Sequence, residues 1–188
     1  MPEVSTTSAE PPRPDPERVP AEPVPDRVWR QPSFAFMRPR LSRWIALGFG
    51  SGLAPVAPGT AGTLFAWAAF ALLDPYLWDT AWWALIAVAF ALGVWACERT
   101  GRDLGVSDHS GMVLDEVVAF WAVLLLVPAG FVSQLVAFFL FRAFDVVKPP
   151  PIRHIDRTMK GGLGVMFDDV LAAFYTVLVV ALWVAIVQ

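Results

Sequence analysis

The sequence is poor in cysteine, histidine and charge. Its one cysteine, Cys97, rules out a disulfide framework and a cysteine metal site. Cys97 sits in an apolar run and reads as a buried structural thiol. Charged residues make up 16% of the chain, against about 25% in soluble domains. The net charge is only −3, and the basic residues form no face interleaved with aromatics, which sets nucleic-acid binding aside. What fills the space is apolar: 56% of residues, against about 45–50% in soluble domains. The composition is that of an integral membrane protein.

Two parts are distinguishable. Residues 1–40 hold ten of the 17 prolines, and their six acids and six arginines cancel. Such a segment buries too little apolar surface to offset its ordering entropy, so a disordered Pro-rich tail is expected. It carries no apolar h-region and does not read as a signal peptide. Residues 41–188 are expected to form a helical membrane domain. Leu41–Leu47 is a short amphipathic piece, with Arg43 and Trp44 suited to an interface. Residues 63–73, 80–97, 112–127, 131–141 and 170–187 are apolar runs with no period-2 alternation. The fold class is therefore all-α: a polytopic helical membrane bundle of about five segments, some short or interfacial. The sparsely charged turns at 74–80 and 128–130 would lie on one side. The polar stretches 48–63, 98–116 and 142–169 would lie on the other, which their Lys and Arg content makes cytoplasmic.

Chemistry-bearing residues concentrate in those polar stretches. Residues 48–63 carry five glycines and two prolines. A helix start is expected at Gly59-Thr60, with Thr60 or Thr63 as cap. Glycines there suit either anion binding at a helix N-terminus or a tight loop with close backbone approach. Asp115-Glu116 stands at the mouth of an apolar run, where a charge needs a partner such as a cation or metal. A helix beginning near Asp108 would put Asp108 and Asp115 on one face.

Arg142, Asp145 and Lys148 follow at helical spacing until Pro149-Pro150-Pro151 ends the helix. Two readings stand: an ion pair steadying a helix end, or cations placed for a phosphate. Arg153, Arg157 and Lys160 form a short basic face suited to anionic lipid or substrate, and His154 reads as interfacial. Gly161-Gly162-Leu163-Gly164 reads as a turn exposing N–H groups ahead of Asp168-Asp169, at the start of the last apolar run. Neighbouring residues on a helix point about 100° apart, so one aspartate could bind metal while the other bonds elsewhere. Hard oxygen ligands favour Mg²⁺.

Three segments together, GFGSGLAPVAPGTAGTL (48–64), DLGVSDHSGMVLDEVVAF (103–120) and FRAFDVVKPPPIRHIDRTMKGGLGVMFDDVLA (141–172), resemble the phosphatidylglycerophosphatase A family. Two departures are visible: Leu114 and Pro150 stand where the family commonly has tryptophan. The resemblance implies an all-helical, Mg²⁺-dependent phosphatase of the bacterial inner membrane. It would hydrolyse phosphatidylglycerophosphate to phosphatidylglycerol and phosphate at the cytoplasmic face. On this reading Asp115, Glu116, Asp168 and Asp169 hold Mg²⁺. Arg142 and Lys148 clamp the phosphate with Asp145 beside them, Arg153 stands at the rim, and Thr60, Gly161 and Gly162 add donors. No Asp-x-Asp-x-Thr loop, Ser-Gly-His element or CDP-alcohol phosphotransferase pattern is present. The rival is a non-enzymatic ion-binding membrane transporter or scaffold, whose charges would line a path through the bilayer instead of gathering at one face.

Overall fold

The structure, a computed structural model, describes residues 31–187. Among them it is all-helical: α1 (Phe34–Met37), α2 (Leu41–Ala46), α3 (Pro58–Leu73), α4 (Asp79–Leu104), α5 (Leu114–Leu126), α6 (Phe131–Val147), α7 (Ile152–Thr158) and α8 (Gly161–Val187). Short 3₁₀ segments cover Gly48–Leu53 and Asp74–Tyr76. Residues 1–30 of the expected tail lie outside the described residues. Its last part is ordered: Ser33 caps α1, Met37 is buried, and Arg40 pairs with Asp103 at 2.6 Å.

α5 is the axis of the molecule. Its sequence, LDEVVAFWAVLLL, is apolar on every side after the acidic pair, and such a helix belongs inside. Every residue from Leu114 to Trp121 is buried. α3, α4, α6 and α8 pack around it, and α8 also meets α4, α6 and α7. Aromatic rings lock the layers. Trp82 stacks on Phe70 with centroids 4.7 Å apart and meets Trp121 edge-on at 5.7 Å. The Trp121 Nε1–H donates to the Ala66 carbonyl at 3.0 Å.

Two helices, α4 and α8, are long and apolar enough to cross a membrane. Only 28% of each spanning window is buried, so their apolar faces look outward, unlike those of a soluble core helix. The expected crossing over 112–127 takes another form. α5 has 13 residues, about 20 Å at 1.5 Å per residue, well short of a hydrocarbon core of about 30 Å. α3 and α6, at 16 and 17 residues, span about 24 and 26 Å. Of the five expected segments, two are thus long and apolar enough to cross, and three shorter helices pack among them.

The ends sort by polarity as the sequence pattern implies. At one end the Val113 N–H donates to the Ala46 carbonyl, and Arg43 pairs with Asp103 at 3.0 Å. At the other, the Trp67 Nε1–H donates to Gln134 Oε1 and the Trp82 Nε1–H to Asp74 Oδ1. Three local expectations are corrected. Ala57, in a left-handed conformation, is the N-cap of α3, and the Thr63 hydroxyl donates back to the Gly59 carbonyl, so neither Thr60 nor Thr63 caps. α5 starts at Leu114, so Asp108, exposed in the preceding loop, shares no helix face with Asp115. α8 starts at Gly161, nine residues before the apolar run, which puts Asp168 and Asp169 two turns inside it.

Candidate active site

The site is built where α3, α5, α6 and α8 present their polar ends. Asp115 and Glu116 occupy the first turn of α5, where acids suit the positive end of the helix dipole. The Glu116 N–H donates to Asp115 Oδ1 at 3.0 Å. Asp169 arrives from α8, and all three carboxylates are buried. One oxygen from each lies within 4.8 Å of the others.

Asp168 points elsewhere. It forms a close hydrogen-bonded ion pair with Lys148, which also donates to Asp156 Oδ1 at 2.8 Å. The angular step between adjacent helix residues thus divides the two aspartates between two clusters. Lys148 sits where the three prolines end α6, with φ at +46°. Burial disfavours its charge, yet the hydrogen bonds to Asp156 and Asp168 outweigh burial and hold its pKa above the ordinary value.

Arg142 joins the carboxylate cluster from the α6 side. Its guanidinium donates to Asp145 at 2.6 Å and to Glu116 Oε1 at 3.4 Å. The latter is a long contact. The N-terminus of α3 closes this side through Gly59, where an added Cβ would lie 2.1 Å from Glu116 Oε1 and 2.8 Å from Arg142 Nη2. Only glycine lets α3 approach the acid and the guanidinium so closely. The helix-start reading of residues 48–63 therefore applies at Gly59. The close-approach reading applies at Gly52, where an added Cβ would meet the Gly111 carbonyl at 2.0 Å.

The Gly161–Gly164 element is not an open turn. The Gly162 N–H donates to Glu98 Oε2 at 2.8 Å, and an added Cβ on Gly162 would lie 1.9 Å from the Val94 carbonyl. Glu98 thus caps α8, and the glycines let α8 close on α4. That N–H is already engaged by a carboxylate. Thr60 is half-buried in the first turn of α3, next to Gly59. Arg153 stands exposed on α7, three positions before Asp156.

Sequence reasoning missed Asp156 and Glu98 as parts of the site. Glu98 had a signal, as the first acid after an 18-residue uncharged run. Asp156 had none, because the proline turn that returns it to Lys148 hides the pairing.

The site is unsatisfied in two opposite senses. Among the described residues, Glu116 Oε2, Asp168 Oδ1 and Asp169 Oδ2 are buried acceptors without a partner, and Arg142 Nε is a buried donor without one. Buried polar atoms are normally paired, so such orphans ask for an explanation. A hard cation fits the acceptors of Asp115, Glu116 and Asp169, whose donor set is all oxygen. An anion fits Arg142. Acids able to hold a cation beside a buried guanidinium are the equipment of a phosphoryl-group enzyme, here carried on a helical bundle.

The chain belongs to the phosphatidylglycerophosphatase A family, whose sequence profile matches residues 44–184. It is 44% identical over 137 residues to the phosphatidylglycerophosphatase A of Haemophilus influenzae, covering 72% of this chain and 84% of the relative. It is 39% identical over 129 residues to that of Escherichia coli K12, covering 68% and 74%. A Bacteroides thetaiotaomicron protein, provisionally named a phosphatidylinositol-3-phosphatase, is 44% identical over 151 residues, covering 74% and 92%. No solved structure matches the chain.

Proposed function

We propose that the protein is a Mg²⁺-dependent lipid phosphatase that removes the terminal phosphate of phosphatidylglycerophosphate, leaving phosphatidylglycerol. The family and two of its named relatives support the activity and the lipid. The observation that carries the chemistry is the paired lack of partners: buried acceptors on Glu116 and Asp169 beside a buried donor on Arg142. The rival transporter reading requires charges along a path through the bilayer. Here they gather at one end of the bundle.

Asp115, Glu116 and Asp169 would hold Mg²⁺. Bound there, the ion supplies charge neutralisation and polarisation of a phosphoryl oxygen. The chain's own residues do the rest. Arg142, braced by Asp145, offers Nε–H to a phosphate oxygen. Lys148 is held charged by Asp156 and Asp168, so its position is fixed before substrate arrives. Preorganised cations of this kind stabilise developing charge without reorganisation. Phosphate-monoester hydrolysis is so slow unaided that enzymes supply up to about 10²¹-fold acceleration, which gives such charge placement its value. Arg153, exposed three positions before Asp156, serves the rim.

The outward apolar faces of α4 and α8 support a bilayer setting. The Lys and Arg content of the site end supports a cytoplasmic orientation in the bacterial inner membrane. In that setting the enzyme would catalyse the final step of phosphatidylglycerol synthesis. The test is phosphate release from phosphatidylglycerophosphate by purified protein, with and without Mg²⁺, for wild type and Asp115→Asn. Mg²⁺-dependent release by wild type that collapses in the variant is expected. A folded wild type that releases no phosphate with any of several divalent metals would sink the assignment.

A further inference from the structure

Two apolar grooves open on the outer surface of the bundle. One, of about 660 Å³, lies between α6 and α8 and reaches Trp183 and Val184. The other, of about 490 Å³, lies between α4, α5 and α8. Both volumes fall in the usual range for ligand sites, roughly 300–1,000 Å³. They differ in their relation to the carboxylates.

The second groove continues the helix faces that carry the acids. Ala119 stands four residues after Asp115, and Ala173 four after Asp169, so each lies one turn along the same face. Both are buried and form the groove floor with Ala122. Their short side chains leave space between the helices. Trp83, Phe90 and Phe174 form the walls, and Trp83 and Phe174 are exposed, so the groove opens sideways. On α8 it starts at Val170 and ends at Val177, a depth of about 2–12 Å beyond Asp169 at 1.5 Å per residue. The α6–α8 groove begins on α8 at Val179, about 15 Å beyond Asp169, a distance equal to half the hydrocarbon thickness. A chain rooted in the same leaflet as the site runs alongside the first depth range and ends near the second.

We propose that the groove between α4, α5 and α8 seats an acyl chain of the lipid whose phosphomonoester is held at Asp115, Glu116, Asp169 and Arg142. The proposal rests on the lipid phosphatase reading and adds how the lipid is selected: by its tail as well as its phosphate. It makes Ala119, Ala122 and Ala173 specificity-determining residues. The α6–α8 groove takes bulk lipid without regard to headgroup.

The test separates this from the phosphatase reading by measuring binding and turnover independently. A diacyl lipid phosphomonoester with a photoreactive diazirine in one chain is incorporated in nanodiscs with the full chain. The same lipid without the terminal phosphate is the control. Crosslinks mapped by mass spectrometry should concentrate on α5 and α8 residues of the proposed groove only with the phosphomonoester. Ala122→Phe on the floor and Ala87→Phe on the α4 side of the same groove should each weaken that labelling and raise KM for the long-chain lipid about tenfold with kcat held. Ala87→Phe should leave turnover of a water-soluble glycerol phosphate unchanged. Ser133→Phe, in the other groove, should change nothing. Labelling that ignores the phosphate, or that follows Ser133→Phe instead, would overturn the groove assignment even if wild type hydrolyses the lipid. Phosphate-selective labelling without hydrolysis would uphold the groove and refute the phosphatase reading.

Discussion

Asp168 pairs with Lys148, and that pairing separates it from Asp169, its neighbour in sequence, which converges with Asp115 and Glu116. The two aspartates should therefore fail differently. Asp169→Asn removes a carboxylate oxygen from the proposed Mg²⁺ site, so Mg²⁺ should no longer raise the melting temperature. Asp168→Asn should keep most of that rise. In wild type a site filled at 100 times Kd gains about 2.7 kcal/mol by mass action. Thermal scans of the three proteins across a Mg²⁺ series check this, and equal losses would merge the two clusters.

That division was half legible in the sequence. The helical step of about 100° showed that Asp168 and Asp169 could not serve one partner equally. Which one faced Lys148 depended on the return of the chain after three prolines, and no periodicity records that. The apolar runs showed the helices, but not that 13-residue α5 is wrapped by the others, because core and membrane-facing helices have the same composition. The run at 170–187 located α8 yet hid its start. Glycine weakens helices, and here the Glu98 cap and the contact with α4 outweigh that weakness.

Lys148 should prove structural as well as functional. Lys148→Met leaves Asp168 buried beside no cation, and breaking a buried pair costs about 3–5 kcal/mol. The side chain of Lys148 keeps 23% exposure, so about 3 kcal/mol is expected, the low end of that range. The double variant Lys148→Met/Asp168→Leu should recover most of the stability and none of the activity. Unfolding in denaturant, compared with phosphate release, reads both. Recovery of activity in the double variant would remove Lys148 from the phosphate.

His109 gives a pH signature outside the site. It is buried in the loop before α5, and its Nδ1 accepts the Gly111 N–H at 3.0 Å. Burial holds its pKa below the ordinary 6.5, with Asp108 opposing. The unfolded chain then takes the proton first as pH falls through 6.5. Stability present above that pH is lost below it, at no more than about 1.4 kcal/mol per pH unit for one proton. His109→Asn keeps an acceptor without titrating. Subtracting its melting profile from that of wild type between neutral and mildly acidic pH should expose the loss. Parallel profiles would show that His109 charges freely in the fold.

Gly59 and Gly162 offer the sharpest contrast, because both forbid a Cβ for different reasons. At Gly162 the obstacle is backbone, the Val94 carbonyl 1.9 Å away. α8 and α4 must separate to admit a methyl, and such overpacking costs about 1–3 kcal/mol. At Gly59 the obstacle is the end of two side chains, Glu116 Oε1 and the Arg142 guanidinium. Those can move, so Gly59→Ala should cost less stability while displacing the acid and the cation together. We therefore expect Gly162→Ala to lower the melting temperature with near-normal kcat in the folded fraction. Gly59→Ala should melt close to wild type with kcat reduced about 10²-fold, as a small misplacement at a reacting centre produces. Measuring melting temperature and kcat for both variants decides it. A fully active Gly59→Ala would mean that the contact of α3 with Glu116 and Arg142 plays no part in turnover.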